Sequence, residues 1–231
     1  MRRLLLAGFS VLALASAAAF ADEFVFLSHD RISLAKLLPP PPAPDSAAQQ
    51  RDLALVLEVQ KQRTPELVKR AIADNELSIF RIMEALDPGL TSERVPLTVQ
   101  FFKRVHGDVR NLINATKDTW RRPRPFLVSN EVKPLGEEPR TRWSYPSGTT
   151  IFGTVTAIVL ANMVEEKRAE IFARADEYGA SRVVIGVHYP SDIDASRSAA
   201  TAIAAVLMQH PAFLAEFEGA RAELRRALNL P

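Results

Sequence analysis

Ser181-Arg182-Val183-Val184-Ile185-Gly186-Val187 is the longest stretch in this chain that alternates as a strand would, and the fold class turns on it. A helical period begins at Ala169 and runs on to about Val187, which takes the stretch into a helix. No longer alternating run and no internal repeat occurs elsewhere, so the chain reads as all-α, one compact helical bundle.

Outward from that stretch the helical pattern persists. Residues 149–167, 191–209 and the segment after Pro211 carry it on either side. Nearer the N-terminus, Ser46 can cap a helix through Leu53, Leu55, Val56, Leu57 and Val59. Thr64-Pro65-Glu66 combines a capping hydroxyl, proline at the first helical position and an acid at the positive end of the dipole. The helix it starts is expected to carry Leu67, Ile72, Ile79, Ile82 and Leu86 and to stop at Asp87-Pro88-Gly89. A further helix is expected from Pro96 to Trp120, ended by Pro123 and Pro125. Residues 121–148 hold five prolines and no helical period. They read as a loop, and loops of that length in compact domains usually serve function.

Composition narrows the chemistry. The 231 residues include no cysteine, which removes disulfides, thiolate nucleophiles, cysteine-bound zinc and iron–sulfur clusters. A net charge of +2 is too small to point to nucleic acid. Arg2 and Arg3 precede an uncharged run from Leu4 to Phe20 that closes on Ala19-Phe20-Ala21, the pattern of a secretory signal peptide over residues 1–21. An uncleaved anchor is the other reading, since the run is just long enough to span a bilayer. Cleavage would leave 27 basic against 27 acidic residues and an exported chain, periplasmic or secreted, with no stable membrane insertion. Residues 22–45 then form an arm with a stiff Pro39–Pro42 and Pro44 linker, and residues 46–231 the helical domain. The apolar helical faces could support a homodimer.

Three blocks carry chemistry. Lys117-Asp118-Thr119-Trp120-Arg121-Arg122-Pro123-Arg124-Pro125 crowds cations where a helix breaks, and guanidiniums grip phosphate oxygens in a fork. By itself it also fits a solvated basic turn. Tyr145-Pro146-Ser147-Gly148-Thr149 precedes an apolar helix, whose free N–H groups and dipole could face an anion. Ser147 or Thr149 as an ordinary helix cap fits equally well. Finally, His188 is followed by Asp192 four residues on, across a proline. A carboxylate on one ring nitrogen fixes the tautomer and leaves the other nitrogen able to attack. Packed, hydrogen-bonded histidine is the plainer alternative.

In this order, Lys-x6-Arg-Pro, Pro-Ser-Gly and Ser-Arg-x5-His-x3-Asp resemble the signature of the type 2 phosphatidic acid phosphatase (PAP2) superfamily, shared with vanadium haloperoxidases. As an exported all-helical chain it looks most like the bacterial class A non-specific acid phosphatases. The resemblance implies that Lys117, Arg124 and Arg182 bind phosphate, with hydrogen bonds from Ser147 and the Gly148 amide. It implies His188 as the nucleophile forming a phosphoenzyme and Asp192 as its orienting partner. The implied substrate is a small phosphomonoester, with no metal and no cofactor.

One position departs from the family pattern. The second motif normally ends Pro-Ser-Gly-His, and that histidine protonates the leaving oxygen; here Thr149 stands in its place. A hydroxyl is far too weak an acid for that role near neutral pH. His106 lies about 16 Å up its helix from Lys117 at 1.5 Å per residue, a poor substitute. A slowed phosphatase and a descendant that only binds phosphate are both consistent with this pattern.

Overall fold

The computed structural model describes residues 24–231 except Glu138 and Arg140. The expected signal peptide lies outside the described residues. Among those described, the helices are α1 (Leu34–Leu37), α2 (Ala47–Lys61), α3 (Pro65–Ala73), α4 (Phe80–Met83), α5 (Pro96–Trp120), α6 (Pro125–Val128), α7 (Gly148–Met163), α8 (Arg168–Val184), α9 (Pro190–Leu207) and α10 (Pro211–Ala227). Among the described residues there is no strand, only a single bridge between Pro123 and Trp143. The fold is all-α. None of these helices is by itself long and apolar enough to cross a membrane.

α7 is the central element because its sequence is apolar all round, which only a surrounded helix tolerates. Ile151, Val155, Val159, Leu160 and Met163 are fully buried, and α8, α9, α5 and α10 pack about it. Close approach of α8 depends on Gly153. A Cβ there would lie 2.5 Å from Cδ1 of Tyr178, a side chain with no exposure. On α9 the buried residues Ala195, Ala199, Ala200 and Ala204 are small, and this helix also packs against α7.

Polar side chains fix the ends of the long helices. α5 starts without a side-chain cap of its own, and Glu223 from α10 supplies one. Its carboxylate accepts from the amides of Leu97 (3.0 Å) and Thr98 (2.8 Å) and from the Thr98 hydroxyl. Anionic oxygen at a helix N-terminus satisfies orphan donors and opposes the dipole. Further along α5, Asp108 accepts from the amides of Val25, Phe26 and Leu27 at 2.6–2.9 Å. That pins the arm to the bundle, where Phe26, Leu27, Ile32, Leu34 and Leu38 join the main core. The Tyr145 hydroxyl holds the start of the proline run by donating to the Pro39 carbonyl at 2.6 Å.

Two helix expectations are corrected. The helix begun at Thr64-Pro65 ends at Ala73 rather than running to Leu86, and α4 forms separately. Asp74 causes the break. It has no exposed surface, and its carboxylate accepts from Arg81 (2.6 Å), from Ser181 (2.7 Å) and from Arg174. Tyr178 takes the Glu76 carbonyl at 2.6 Å. These tertiary bonds outweigh the local helical period. The second correction concerns the opening stretch: α8 stops at Val184, and Gly186 turns the chain out at φ 76°. A left-handed φ suits glycine because a Cβ is strained there. This turn swings His188 back over the helix end.

Candidate functional site

Four chain segments meet at the exit of that turn. The last turn of α5 brings Lys117, the loop after it Arg122 and Arg124, the start of α7 Ser147 to Thr149, and the α8–α9 junction Arg182, His188 and Asp192. Arg124 and Arg182 both lie close enough to depress the proton affinity of Lys117, and Arg182 that of Arg124, so the two ends of the motif set share one place.

His188 is 3% exposed. Its Nδ1 lies 3.3 Å from Asp192 Oδ2, and its Nε2 lies 3.1 Å from Arg124 Nη1. A guanidinium can only donate, so Nε2 must accept and the proton must sit on Nδ1, toward the carboxylate. The ring is therefore neutral with its Nε2 lone pair facing a cation. Burial pushes the imidazole well below its usual range, and the neighbouring Arg124 pushes the same way, against the pull of Asp192.

Asp192 is itself held from two sides. Oδ2 also accepts from the Tyr189 amide at 2.9 Å, and Oδ1 accepts from Arg122 Nη1 at 2.6 Å. Burial by itself would raise this carboxyl, but the His188 hydrogen bond and the Arg122 charge hold it below the usual carboxylate range. Arg122 is fixed in turn by Asp52 (2.6 Å) and Gln49 (2.7 Å), both buried on α2, and its guanidinium stacks 4.0 Å over the Tyr189 ring. Sequence reasoning singled out neither Arg122 nor its α2 partners. The signal the sequence offers is that Gln49 and Asp52 stand seven and four residues before Val56, polar residues on the face that buries it, and its meaning lies 70 or more residues away.

The three expected phosphate-binding cations differ in how they are held. Arg124 donates from Nε to the Thr141 carbonyl (2.7 Å) and from Nη1 to the Val187 carbonyl (2.8 Å). Lys117 donates to the carbonyls of Pro146 (2.9 Å) and Trp143 (3.2 Å). Arg182 donates from Nη1 to Asn75 Oδ1 at 2.8 Å, and its Nε is buried without a partner. Neutral oxygens position all three groups, and among the described residues none of the three is in a direct ion pair; Asp192 and Asp74 act on them only through their longer-range field. Burial lowers the Lys117 ammonium to about 7, with Arg124 adding to the effect, and lowers both Arg124 and Arg182 to about 10.

At the start of α7, Ser147 is buried and caps the helix, accepting from the Thr150 amide (3.3 Å) and the Thr150 hydroxyl (2.9 Å). Its hydroxyl thus performs the plainer of the two expected roles while its own proton stays available. Gly148 and Thr149 occupy the first turn, where amides have no partner within the helix. The other histidines stay apart. His106 is a core residue bonded to the Thr156 hydroxyl at 2.8 Å, with its ring against Phe152, and burial drives it down to about 3. His29 packs on Phe24, and His210 precedes α10. Among the described residues, no group of three His, Asp or Glu side chains could hold a metal ion.

Comparison with known proteins gives consistent results. Residues 109–214 match the family model described as the PAP2 superfamily. A non-specific acid phosphatase of Salmonella typhimurium is 30% identical over 204 residues, which cover 84% of this chain and 80% of that protein. One from Providencia stuartii is 28% identical over 216 residues, covering 89% and 86%. Among solved structures, a transmembrane PAP2 type phosphatidylglycerolphosphate phosphatase from Bacillus subtilis aligns with a TM-score of 0.48 at 21% identity, covering 79% of this chain and 90% of that one.

Proposed function

The chain belongs to the PAP2 superfamily and, within it, to the bacterial non-specific acid phosphatases, and on that premise we propose that it hydrolyses phosphomonoesters through a phosphohistidine on His188. The observation that carries the proposal is the orientation of the His188 ring, with Nδ1 on Asp192 and the Nε2 lone pair beside Arg124. A phosphoryl group drawn to Arg124 arrives within reach of that lone pair.

In the first step Nε2 attacks phosphorus and the bond to the ester oxygen breaks, so the phosphoryl group moves to the ring while the leaving alcohol takes up a proton. In the second, water attacks the phosphohistidine, releasing inorganic phosphate and restoring Nε2. Nδ1–H stays on Asp192 throughout, and Asp192 offsets the positive charge the ring acquires. Lys117, Arg124 and Arg182, with the Gly148 amide and the Ser147 hydroxyl, hold the equatorial oxygens, over which the charge is spread in a loose phosphoryl transfer. Three cations meet that charge, so the proposal requires no metal. Residues 1–21 would export the enzyme.

Thr149 sets the rate. Without an acid at this position the leaving oxygen must take its proton from solvent, and such a loss costs about 10²- to 10⁴-fold. Substrates with good leaving groups need that proton least. The same substitution supports a second reading, a protein that binds phosphate and does not turn over.

A chelator-treated sample assayed on an aryl phosphate from pH 4 upward separates the two. Hydrolysis blocked by vanadate supports the enzyme, whereas vanadate binding without hydrolysis of any ester supports the binder. The pH profile carries its own prediction. Lys117 is a cation below about 7 and neutral above it, so affinity for an anionic ester is lost as pH rises through that value. His188 stays neutral well into the acid range and sets no limb near neutrality. In Lys117→Arg the charge persists, and the alkaline limb of kcat/KM should move up by at least about one pH unit. Superimposable limbs in the two proteins would show that Lys117 does not govern it.

A further inference from the structure

We propose that Asn75 is a positioning residue for phosphate binding, a neutral clamp that aims the Arg182 guanidinium at the site without cancelling its charge. The inference rests on Arg182 holding phosphate, as proposed above.

Asn75 stands at the break between α3 and α4, and α8 reaches toward that break at four places on one face. Arg174 and Ser181 bond to Asp74, Tyr178 bonds to the Glu76 carbonyl, and Arg182 bonds to Asn75. Arg174, Tyr178 and Arg182 follow one another at a spacing of four and Ser181 lies three after Tyr178, so the four share a side of the helix. The break is therefore fastened to the very helix that carries Arg182.

The chemistry of neighbouring residues 74 and 75 is divided. Asp74 is the fully buried anion, and its charge is met by Arg81 and Arg174 within hydrogen-bond distance. Asn75 presents only an amide oxygen, 2.8 Å from Arg182 Nη1. Its Nδ2 turns the other way, toward Gly136, where a Cβ would lie 3.8 Å from it. Arg182 is 5% exposed, and that one contact fixes its fork while Nε stays buried and unpartnered. A carboxylate in place of the amide would hold the guanidinium equally well but would pair with it as an ion. An arriving phosphoryl group would then have to displace that pair. Strong fixing of the fold is thus assigned to the acid, and aiming of the phosphate-binding cation to its neutral neighbour.

The test compares Asn75→Asp, Asn75→Ala and Arg182→Ala with the parent protein, reading inhibition by inorganic phosphate, the KM and kcat for an aryl phosphate, and the thermal midpoint. In Asn75→Asp the phosphate inhibition constant and KM are expected to rise by about tenfold to a hundredfold, the range of one charge-assisted hydrogen bond, with a much smaller change in kcat. Its thermal midpoint should hold or rise, because an ion pair replaces a neutral bond. A residue that merely props the fold would lose stability and affinity together. Asn75→Ala keeps the question open to test if the aspartate variant does not fold, and should weaken phosphate inhibition less than Asn75→Asp would. If Arg182→Ala weakens inhibition and the Asn75 variants stay within twofold of the parent, the inference is overturned. If Arg182→Ala itself leaves inhibition unchanged, the assignment of Arg182 to phosphate fails instead, and the two failures are told apart.

Discussion

His188→Ala is expected to lower kcat on an aryl phosphate by at least about 10⁴-fold, the scale on which enzymes lose rate when the nucleophile is removed. Inhibition or binding by inorganic phosphate should change far less, because the alanine variant keeps Lys117, Arg124 and Arg182. That separation of rate from affinity matters more than the loss itself. His188 is buried, and its removal leaves Arg124 Nη1 still bonded to the Val187 carbonyl and Asp192 still bonded to Arg122. The cation cluster therefore has its own supports. A His188→Ala protein that retains turnover within about tenfold of the parent would remove the histidine from the mechanism.

Thr149→His should act in the opposite direction. Placing an imidazole at the first turn of α7 supplies the missing acid, and kcat/KM for alkyl phosphates is expected to rise by as much as about 10²- to 10⁴-fold. Aryl phosphates should gain much less in kcat/KM, since their leaving oxygens depart with little help. By microscopic reversibility the group that protonates the leaving oxygen also takes a proton from the attacking water. The parent protein should thus break down its phosphoenzyme slowly, and an aryl phosphate should give an initial burst of product that Thr149→His abolishes. Equal gains for both ester classes would show that position 149 is not where the leaving oxygen sits.

Legibility in the sequence followed the range of the interactions. His188 and Asp192 are four residues apart, and the helix starts at Thr64-Pro65 and Pro96 are punctuated locally, so each was readable from neighbouring residues. The break at Asp74 was not, because the bonds that impose it come from Arg174 and Ser181 about a hundred residues on. Arg122 sat in plain view among four basic residues near the end of α5, yet only its contacts with Asp52 on α2 and Asp192 on α9 separate it from Arg121, which is exposed. Ser181 to Val187 shows the same limit in small. Its residues suit a strand or a helix, and the structure makes it the end of one helix and the turn that leads to His188.

The central claim is that the phosphoryl group passes through His188. The most direct measurement mixes the protein with an aryl phosphate, quenches within the burst under alkaline conditions that preserve phosphoramidate bonds, and locates the label by peptide mass spectrometry. The account predicts one phosphoryl group on His188, formed in step with the burst and absent from His188→Ala. A burst with label on another residue, or turnover with no covalent label in parent protein whose burst is complete, would contradict it.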